Sequence, residues 1–283
     1  RQVWITSRTI SGPVDALAGQ ARKLARGGRE GLVPLDHYGT REVALLGDSV
    51  LGMARALENR SNYIRDFAAH VSHEFKTPLT GLQGAAELLA EHIETMGEAE
   101  RRRFLDNIRA DADRLQRLVS RLLELARVDN LNVSDSTLAL VPALKKLSQS
   151  AEADAAHVTV QGPADAIGRI SADSLEILVR NLLQNAWQHG ARRVDITVHR
   201  EAGGLRLRFA DDGRGISPGN RDRIFKPFFT TRREGGGTGL GLRIVTSVLA
   251  AHGGRIALGE SEGSAGTGAV FDVWLPSVEA HRR

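Results

Sequence analysis

The feature that most restricts the fold is the spacing of apolar residues over roughly the first 130 positions, which follows a helical seam and not the alternation of a strand. Ile10, Val14, Leu17, Ala21 and Leu24 step by 4, 3, 4 and 3 residues. After a connector containing Gly27, Gly28 and Gly39, the residues Val43, Leu46, Val50, Met53 and Leu57 step by 3, 4, 3 and 4. Narrow stripes of this period are seams for parallel coiled-coil packing, although any amphipathic helical hairpin shares the pattern. The second stripe runs on into Ile64, Phe67 and Val71, with Arg60 breaking the apolar series, so one continuous helix is expected. A further helix is expected over 101–128, where Phe104, Ile108, Leu115, Leu118, Leu122 and Leu125 form a stripe interrupted by Asp111. Leu105, Ala112, Val119 and Ala126 widen it. An arc that wide needs several neighbours, which fits a hairpin turning near Thr95-Met96-Gly97 and dimerising into a four-helix bundle.

From about residue 138 the pattern changes. Strand-like alternation occurs from Val194 to Val198, Leu205 to Phe209 and Phe271 to Leu275, and helical stretches fall near 143–156, 174–188 and 240–252. The expected fold is an all-α coiled-coil and four-helix-bundle region followed by an α/β sandwich, one sheet with helices on one face.

The 283 residues suffice for about two domains with a real core. Charged residues make up 25% and hydrophobic residues 41%, ordinary values for a folded protein in water. The 38 basic residues face 34 acidic ones, and no basic stripe with interleaved aromatics exists, so no nucleic-acid footprint is read. There is no cysteine, which excludes disulfides and thiolate metal sites. No apolar run approaches the ~20 residues that span a bilayer.

His73-Glu74-Phe75-Lys76-Thr77-Pro78-Leu79 places reactive groups within little more than one helical turn. His73 lies nine residues after Ile64, about 180° round an ideal helix, so its imidazole is expected to face solvent. A pKa near ~6.5 leaves that ring neutral and nucleophilic at neutral pH. Glu74 is placed to accept a hydrogen bond from Nδ1–H, which orients the ring and raises the basicity of Nε2. Pro78 removes an amide from the helix, and a kink is expected there. Thr77 is four residues on, roughly on the face of His73. Because position 77 is threonine, an H-E-x-x-H zinc site is excluded. His70, one turn earlier, is the alternative acceptor or metal partner, and a His-Glu pair alone is equally a solvated face.

Roughly a hundred residues later come four elements in order. Asn181 and Asn185 share one face of a helix; Asp211-Asp212-Gly213-Arg214-Gly215-Ile216 follows; then Phe225, Pro227, Phe228 and Phe229; then Gly235-Gly236-Gly237-Thr238-Gly239-Leu240-Gly241-Leu242. No Gly-Lys dipeptide exists, so there is no Walker A loop, and the glycine spacing fails the dinucleotide pattern. The elements resemble the N, G1, F and G2 boxes of the GHKL-type ATP-binding fold of histidine kinases, gyrase, Hsp90 and MutL. Together with the histidine motif, the chain from about residue 8 to about 277 resembles the cytoplasmic part of a sensor histidine kinase of a two-component system.

That resemblance implies ATP and Mg²⁺ as cofactors, with Asn185 as metal ligand and Asn181 supporting it. It makes Asp211 the reader of the adenine amine, with Gly213 and Gly215 permitting close approach of the backbone. Thr230 through Gly237 become a lid, and Thr238, Gly239, Leu240 and Gly241 lead into a helix whose N-terminus meets the phosphates. His73 becomes the phosphoacceptor with Glu74 beside it, and Thr77 a residue that positions water for phosphatase activity. The phosphoryl group would pass to an aspartate of a response regulator receiver domain docked around Leu79 to Ala86. The chain departs from the family at Gln188 and His189, where a basic residue and then an aromatic are usual; Arg232 or Arg233 is the expected substitute for the missing cation. Gly266-Thr267-Gly268-Ala269-Val270-Phe271 matches the last glycine box only loosely. Two other readings share the ATP site: a scaffold that binds ATP without transferring it, and another GHKL ATPase, which gives no reason for the histidine motif.

The expected domains are a juxtamembrane remnant at 1–10, a HAMP-like linker at 11–60 with Pro13 and Glu42 near its helix starts, a dimerisation and phosphotransfer hairpin at 61–130, and an ATP-binding domain at 138–277. The opening Arg1-Gln2-Val3-Trp4-Ile5 reads as a segment following a transmembrane helix, with Trp4 at the old interface. The expected state is a homodimer forming the cytoplasmic portion of a bacterial inner (plasma) membrane protein.

Overall fold

The computed structural model describes residues 11–25, 40–129, 136–151, 157–232, 237–260 and 268–277. The expected juxtamembrane remnant, the glycine connector and Arg233 lie outside these residues. The chain divides into two compact units, Arg1–Lys76 and Thr77–Arg283, whose border falls inside one helix.

In the first unit, α1 spans Gly12–Ala25 and α2 begins at Arg41, continuing to His92. Thr40 caps α2: its carbonyl accepts the Ala44 N–H at 3.0 Å and its hydroxyl accepts the Val43 N–H at 3.4 Å. Glu42 sits in the first turn, the favourable end of the helix dipole for a carboxylate. Within the chain the buried line is Val43, Leu51 and Ala54, whereas Leu46, Met53 and Leu57 of the expected seam are exposed. The seam and the buried line thus share Val43 at the start of α2 and diverge beyond it, where Val50 is half-buried and Leu46, Met53 and Leu57 face outward. Among the described residues no helix is long and apolar enough to cross a membrane.

The second unit opens with the end of α2 and a tight turn. The amides of Thr95 and Met96 both bond the His92 carbonyl, at 3.0 and 2.8 Å, and α3 runs over Glu98–Asp129. The expected hairpin turn at Thr95-Met96-Gly97 is where the chain reverses. Asp111, which interrupts the apolar stripe of α3, rests on Gly81 of α2, where a β-carbon would collide with its carboxylate. Leu118, Leu125 and Val128 are buried, while Leu105 and Val119 are 54% and 42% exposed. One edge of the wide arc therefore faces inward and the other remains open.

The rest of the unit is an α/β sandwich. Strands β2 (His157–Gln161), β4 (Arg193–Glu201), β5 (Gly204–Asp211), β6 (Arg255–Leu258) and β7 (Val270–Pro276) form a sheet in the order β2-β4-β5-β7-β6. The β2 and β4 pair is parallel and the other pairs are antiparallel. Two short strands, β1 (Leu138–Ala139) and β3 (Ile167–Gly168), pair separately. Alternate residues Val194, Ile196, Val198, Leu205, Leu207, Phe209, Val273 and Leu275 are buried. They share the core with Leu144 of α4 (Leu140–Ala151), Leu178 and Leu183 of α5 (Ala172–Gln188), and Ile244 and Leu249 of α6 (Gly241–Ala251). Burying each such side chain contributes about 1.5–3 kcal/mol. On the opposite face Arg255 stacks over Trp274, 4.6 Å from the ring centroid.

The three strands expected from alternation are β4, β5 and β7. Helix α4 starts earlier than expected and ends earlier, at Ala151. Pro142 falls in its first turn, where an amide has no helical partner to lose.

Candidate functional site

His73 is exposed on α2, Glu74 half-buried and Thr77 exposed. Pro78 is buried inside α2, which remains helical to His92, so the proline does not end the helix. His70 turns its Nδ1 towards the carbonyl of Asp66, 2.6 Å away along the same helix.

In the second unit a cleft of about 660 Å³ opens between α5, the end of β5, the start of α6 and one side of α3. Asn181, Asn185, Gln188, His189, Asp211, Gly215, Arg232, Gly237, Thr238, Gly239 and Gly241 line it. Gly213 and Leu240 do not. Leu240 is fully buried and anchors the first turn of α6, and Gly213 donates its N–H to Asp211 Oδ1 at 2.9 Å.

Helix α5 starts at Ser171, whose hydroxyl accepts the Ser174 N–H at 3.2 Å. Its apolar face is core, so the polar residues at 181, 184, 185 and 188 form a strip along the cleft. Asn181 is only 2% exposed. Its Nδ2 donates to the Ile177 carbonyl at 2.8 Å, which fixes the amide with Oδ1 towards the cleft. Gly241 lets the start of α6 come close, since a β-carbon there would lie 3.3 Å from that oxygen. Amide oxygens suit a hard cation that keeps water and phosphate ligands. Among the described residues no group of three His, Cys, Asp or Glu could hold a metal. The amide oxygens of Asn181 and Asn185 are of the donor type that suits Mg²⁺.

Asp211 and Asp212 divide the work of their motif. Asp211 lines the cleft, and its Oδ1 accepts from Gly213 and Ala269. Asp212 staples the start of β4, accepting from the Arg192 and Arg193 amides at 2.7 and 2.9 Å. Burial raises the Asp212 carboxyl, but those amides outweigh it and hold it below the usual carboxylate range. His189, half-buried at the C-terminal end of α5, is held below the ordinary imidazole value, first by burial and then by the Arg232 cation, with Asp211 pulling the other way.

The chain is pinned at Phe228 and Gly239, just before α6. Phe228 donates its N–H to the Gly239 carbonyl at 3.0 Å, and both residues take positive φ, 62° and 66°. The Gly237 amide closes back on the Arg232 carbonyl at 3.0 Å.

One wall of the cleft has no counterpart among the sequence motifs. Asp113, Gln116, Arg117, Ser120 and Arg121 of α3 line it. Arg121 Nη1 donates to Asn181 Oδ1 at 2.8 Å and to Glu124 at 2.7 Å, and Nη2 donates to Gln184. Glu124 also pairs with Arg180 of α5. The four-residue spacing of Arg117 and Arg121 is visible in the sequence, but the helix they face is not.

Residues 63–131 match the His Kinase A (phospho-acceptor) domain, and residues 170–279 match the histidine kinase-, DNA gyrase B- and HSP90-like ATPase domain. The sensor histidine kinase ZraS of Escherichia coli (strain K12) is 35% identical over 218 residues, covering 74% of this chain and 44% of ZraS. MtrB of Mycobacterium tuberculosis, also a sensor histidine kinase, is 30% identical over 297 residues, covering 98% of this chain and 51% of MtrB. The chain spans about half the length of the curated relatives it matches. Among solved structures, full-length ShkA in complex with AMPPNP is 28% identical with a TM-score of 0.51, over 75% of this chain and 46% of that one. The histidine kinase ThkA in complex with the response regulator TrrA shares the fold, with a TM-score of 0.62 at 21% identity, over 79% and 65% of the two chains. The chain belongs to the sensor histidine kinases, carrying their phosphoacceptor domain followed by their ATPase domain.

Proposed function

We propose that the chain is the kinase portion of a dimeric two-component sensor, phosphorylating His73 from ATP and passing the phosphoryl group to an aspartate of a response regulator. The observation that carries this reading is the pairing in one chain of an exposed histidine, in a matching phosphoacceptor domain, with a cleft whose asparagines, Asp211 and α6 N-terminus suit an adenine nucleotide. Asp211 accepts the adenine amine, and the backbone amides at the start of α6 bind phosphate oxygens. Mg²⁺ at Asn185, supported by Asn181, would neutralise charge developing on the phosphates. The Nε2 lone pair of His73 forms the N–P bond as the bond from the γ-phosphorus to the bridging oxygen breaks, and ADP leaves with that electron pair. Glu74 holds the imidazole through Nδ1–H and steadies its positive charge. Thr77 positions water when the regulator is dephosphorylated, and the regulator docks around Leu79 to Ala86.

The reading includes a HAMP-like linker at 11–60, a hairpin at 61–130, a catalytic domain at 138–277 and attachment to the bacterial plasma membrane. The neutral Gln188 favours a second reading, a relay that binds ATP without transferring it.

The test is incubation of the chain with Mg²⁺ and γ-labelled ATP beside His73→Gln. Acid-labile, alkali-stable label on the wild type and none on the variant supports the kinase reading. No label with nucleotide binding intact replaces it with the relay. Label that persists in the variant moves the acceptor elsewhere.

A further inference from the structure

We infer that the nucleotide site is completed by α3: Arg121, and not a residue of the ATPase domain, supplies the phosphate-binding cation missing at Gln188. The inference rests on the reading that the cleft holds ATP.

Gln184 and Gln188 are one turn apart on the cleft side of α5, and both are neutral. The guanidinium of Arg121 sits against that strip, bonded to Asn181 Oδ1 and to Gln184. Asn181 Oδ1 in turn lies beside Gly241, the first residue of α6. The cation is thus held next to the helix end that suits phosphate. Its side chain is only 18% exposed, so its charge is weakly screened.

Glu124 does not bind Arg121 exclusively. It shares its carboxylate between Arg121 and Arg180, and Arg180 reaches Glu176 at the rim, 3.7 Å away. A polyphosphate can therefore draw Arg121 towards itself while Glu124 keeps Arg180 as partner. The two bonds from Arg121 to neutral amides orient the guanidinium without cancelling its charge, and charge-assisted bonds of this type are the strong ones. Arg117, one turn earlier, lines the same wall, with Asp113 one turn beyond it.

Binding of AMP, ADP and ATP, each with Mg²⁺, is measured on the whole chain for wild type, Arg121→Ala, Arg121→Lys and Arg121→Ala combined with Gln188→Arg. The expected result is that Arg121→Ala weakens ATP about tenfold or more and leaves AMP within about twofold, as loss of one charged hydrogen-bonding group predicts. Lysine retains part of the ATP preference, and Gln188→Arg restores it from the other helix. Equal losses for all three nucleotides would make Arg121 a support of the fold and overturn the inference. Tighter ATP binding would make Arg121 an obstruction and overturn it as well. An unchanged ATP preference in the alanine variant sinks this inference alone, whereas a wild type that binds no adenine nucleotide removes the ATP reading beneath it.

Discussion

Asp211 and Ala269 exchange two hydrogen bonds: the Asp211 amide donates to the Ala269 carbonyl at 3.0 Å, and the Ala269 amide donates to Asp211 Oδ1 at 3.1 Å. The proposed adenine reader is therefore also a joint between β5 and the chain entering β7. An asparagine keeps the acceptor oxygen, while an alanine leaves the Gly213 and Ala269 amides without it. Asp211→Asn is expected to unfold within about 1 kcal/mol of wild type, and Asp211→Ala to lose about 1–3 kcal/mol. Both should bind ATP at least tenfold more weakly: in the asparagine variant the amide NH₂ faces the adenine amine donor to donor, and in the alanine variant no acceptor remains for that amine. Urea unfolding beside nucleotide titration separates the roles; an asparagine variant with full ATP affinity removes Asp211 from the reading of the base.

Gly239 fixes the backbone just before α6. Its φ is +66°, and a β-carbon on it would overlap the backbone of Phe228, a buried residue that has little room to retreat. Gly239→Ala is expected to cost about 1–3 kcal/mol, from the left-handed backbone and from overpacking. Gly219 is the control: a β-carbon there meets nothing within 4 Å, and Gly219→Ala should stay within about 0.5 kcal/mol. Equal midpoints for the two variants in urea would refute the pinned junction.

The lowered pKa of His189 has a definite consequence for stability. The folded domain prefers the neutral ring, so the unfolded chain binds more protons between the folded value and the ordinary value of 6.5. Stability is present in full above the ordinary value and is lost as pH falls from there towards the folded one. His189→Gln keeps a polar side chain without the titration, so its urea midpoint should fall less between pH 7.5 and pH 5.5 than that of wild type. A variant that loses as much as wild type over that interval assigns the acid sensitivity to other groups.

What was legible in the sequence is what depends on period and order. The heptads gave the long helices, and Thr95-Met96-Gly97 gave their turn. Val194, Ile196 and Val198 alternate clearly enough to mark β4. Strands β1, β2, β3 and β6 carry no such mark: they run for two to five residues, and their pairing comes from neighbours far along the chain. The motif residues of the cleft are mostly where their order implied. The wall from α3 was not legible, because Arg121 reaches Gln184 across 63 positions of sequence and only tertiary packing brings the helices together. Local pattern points instead to Arg232 and Arg233 as the substitute cation, because they adjoin the glycines in sequence.

The open edge of α3 carries the quaternary prediction. Leu105 and Val119 are two heptads apart and about half exposed, so they fall on one line that the intrachain hairpin does not cover. In the proposed dimer the same line on a second copy covers it, and each large side chain so buried contributes about 1.5–3 kcal/mol. Each residue occurs twice in a symmetric pair, so a charge placed there is desolvated twice and faces its own image. Leu105→Glu with Val119→Glu should weaken dimerisation by about 100-fold or more, the equivalent of about 2.7 kcal/mol. Sedimentation across a micromolar concentration series reads this directly, with urea unfolding of the ATPase domain as the check that the variant remains folded. A double variant that is folded and still dimeric at the lowest concentrations places the dimer contact on another face of the hairpin.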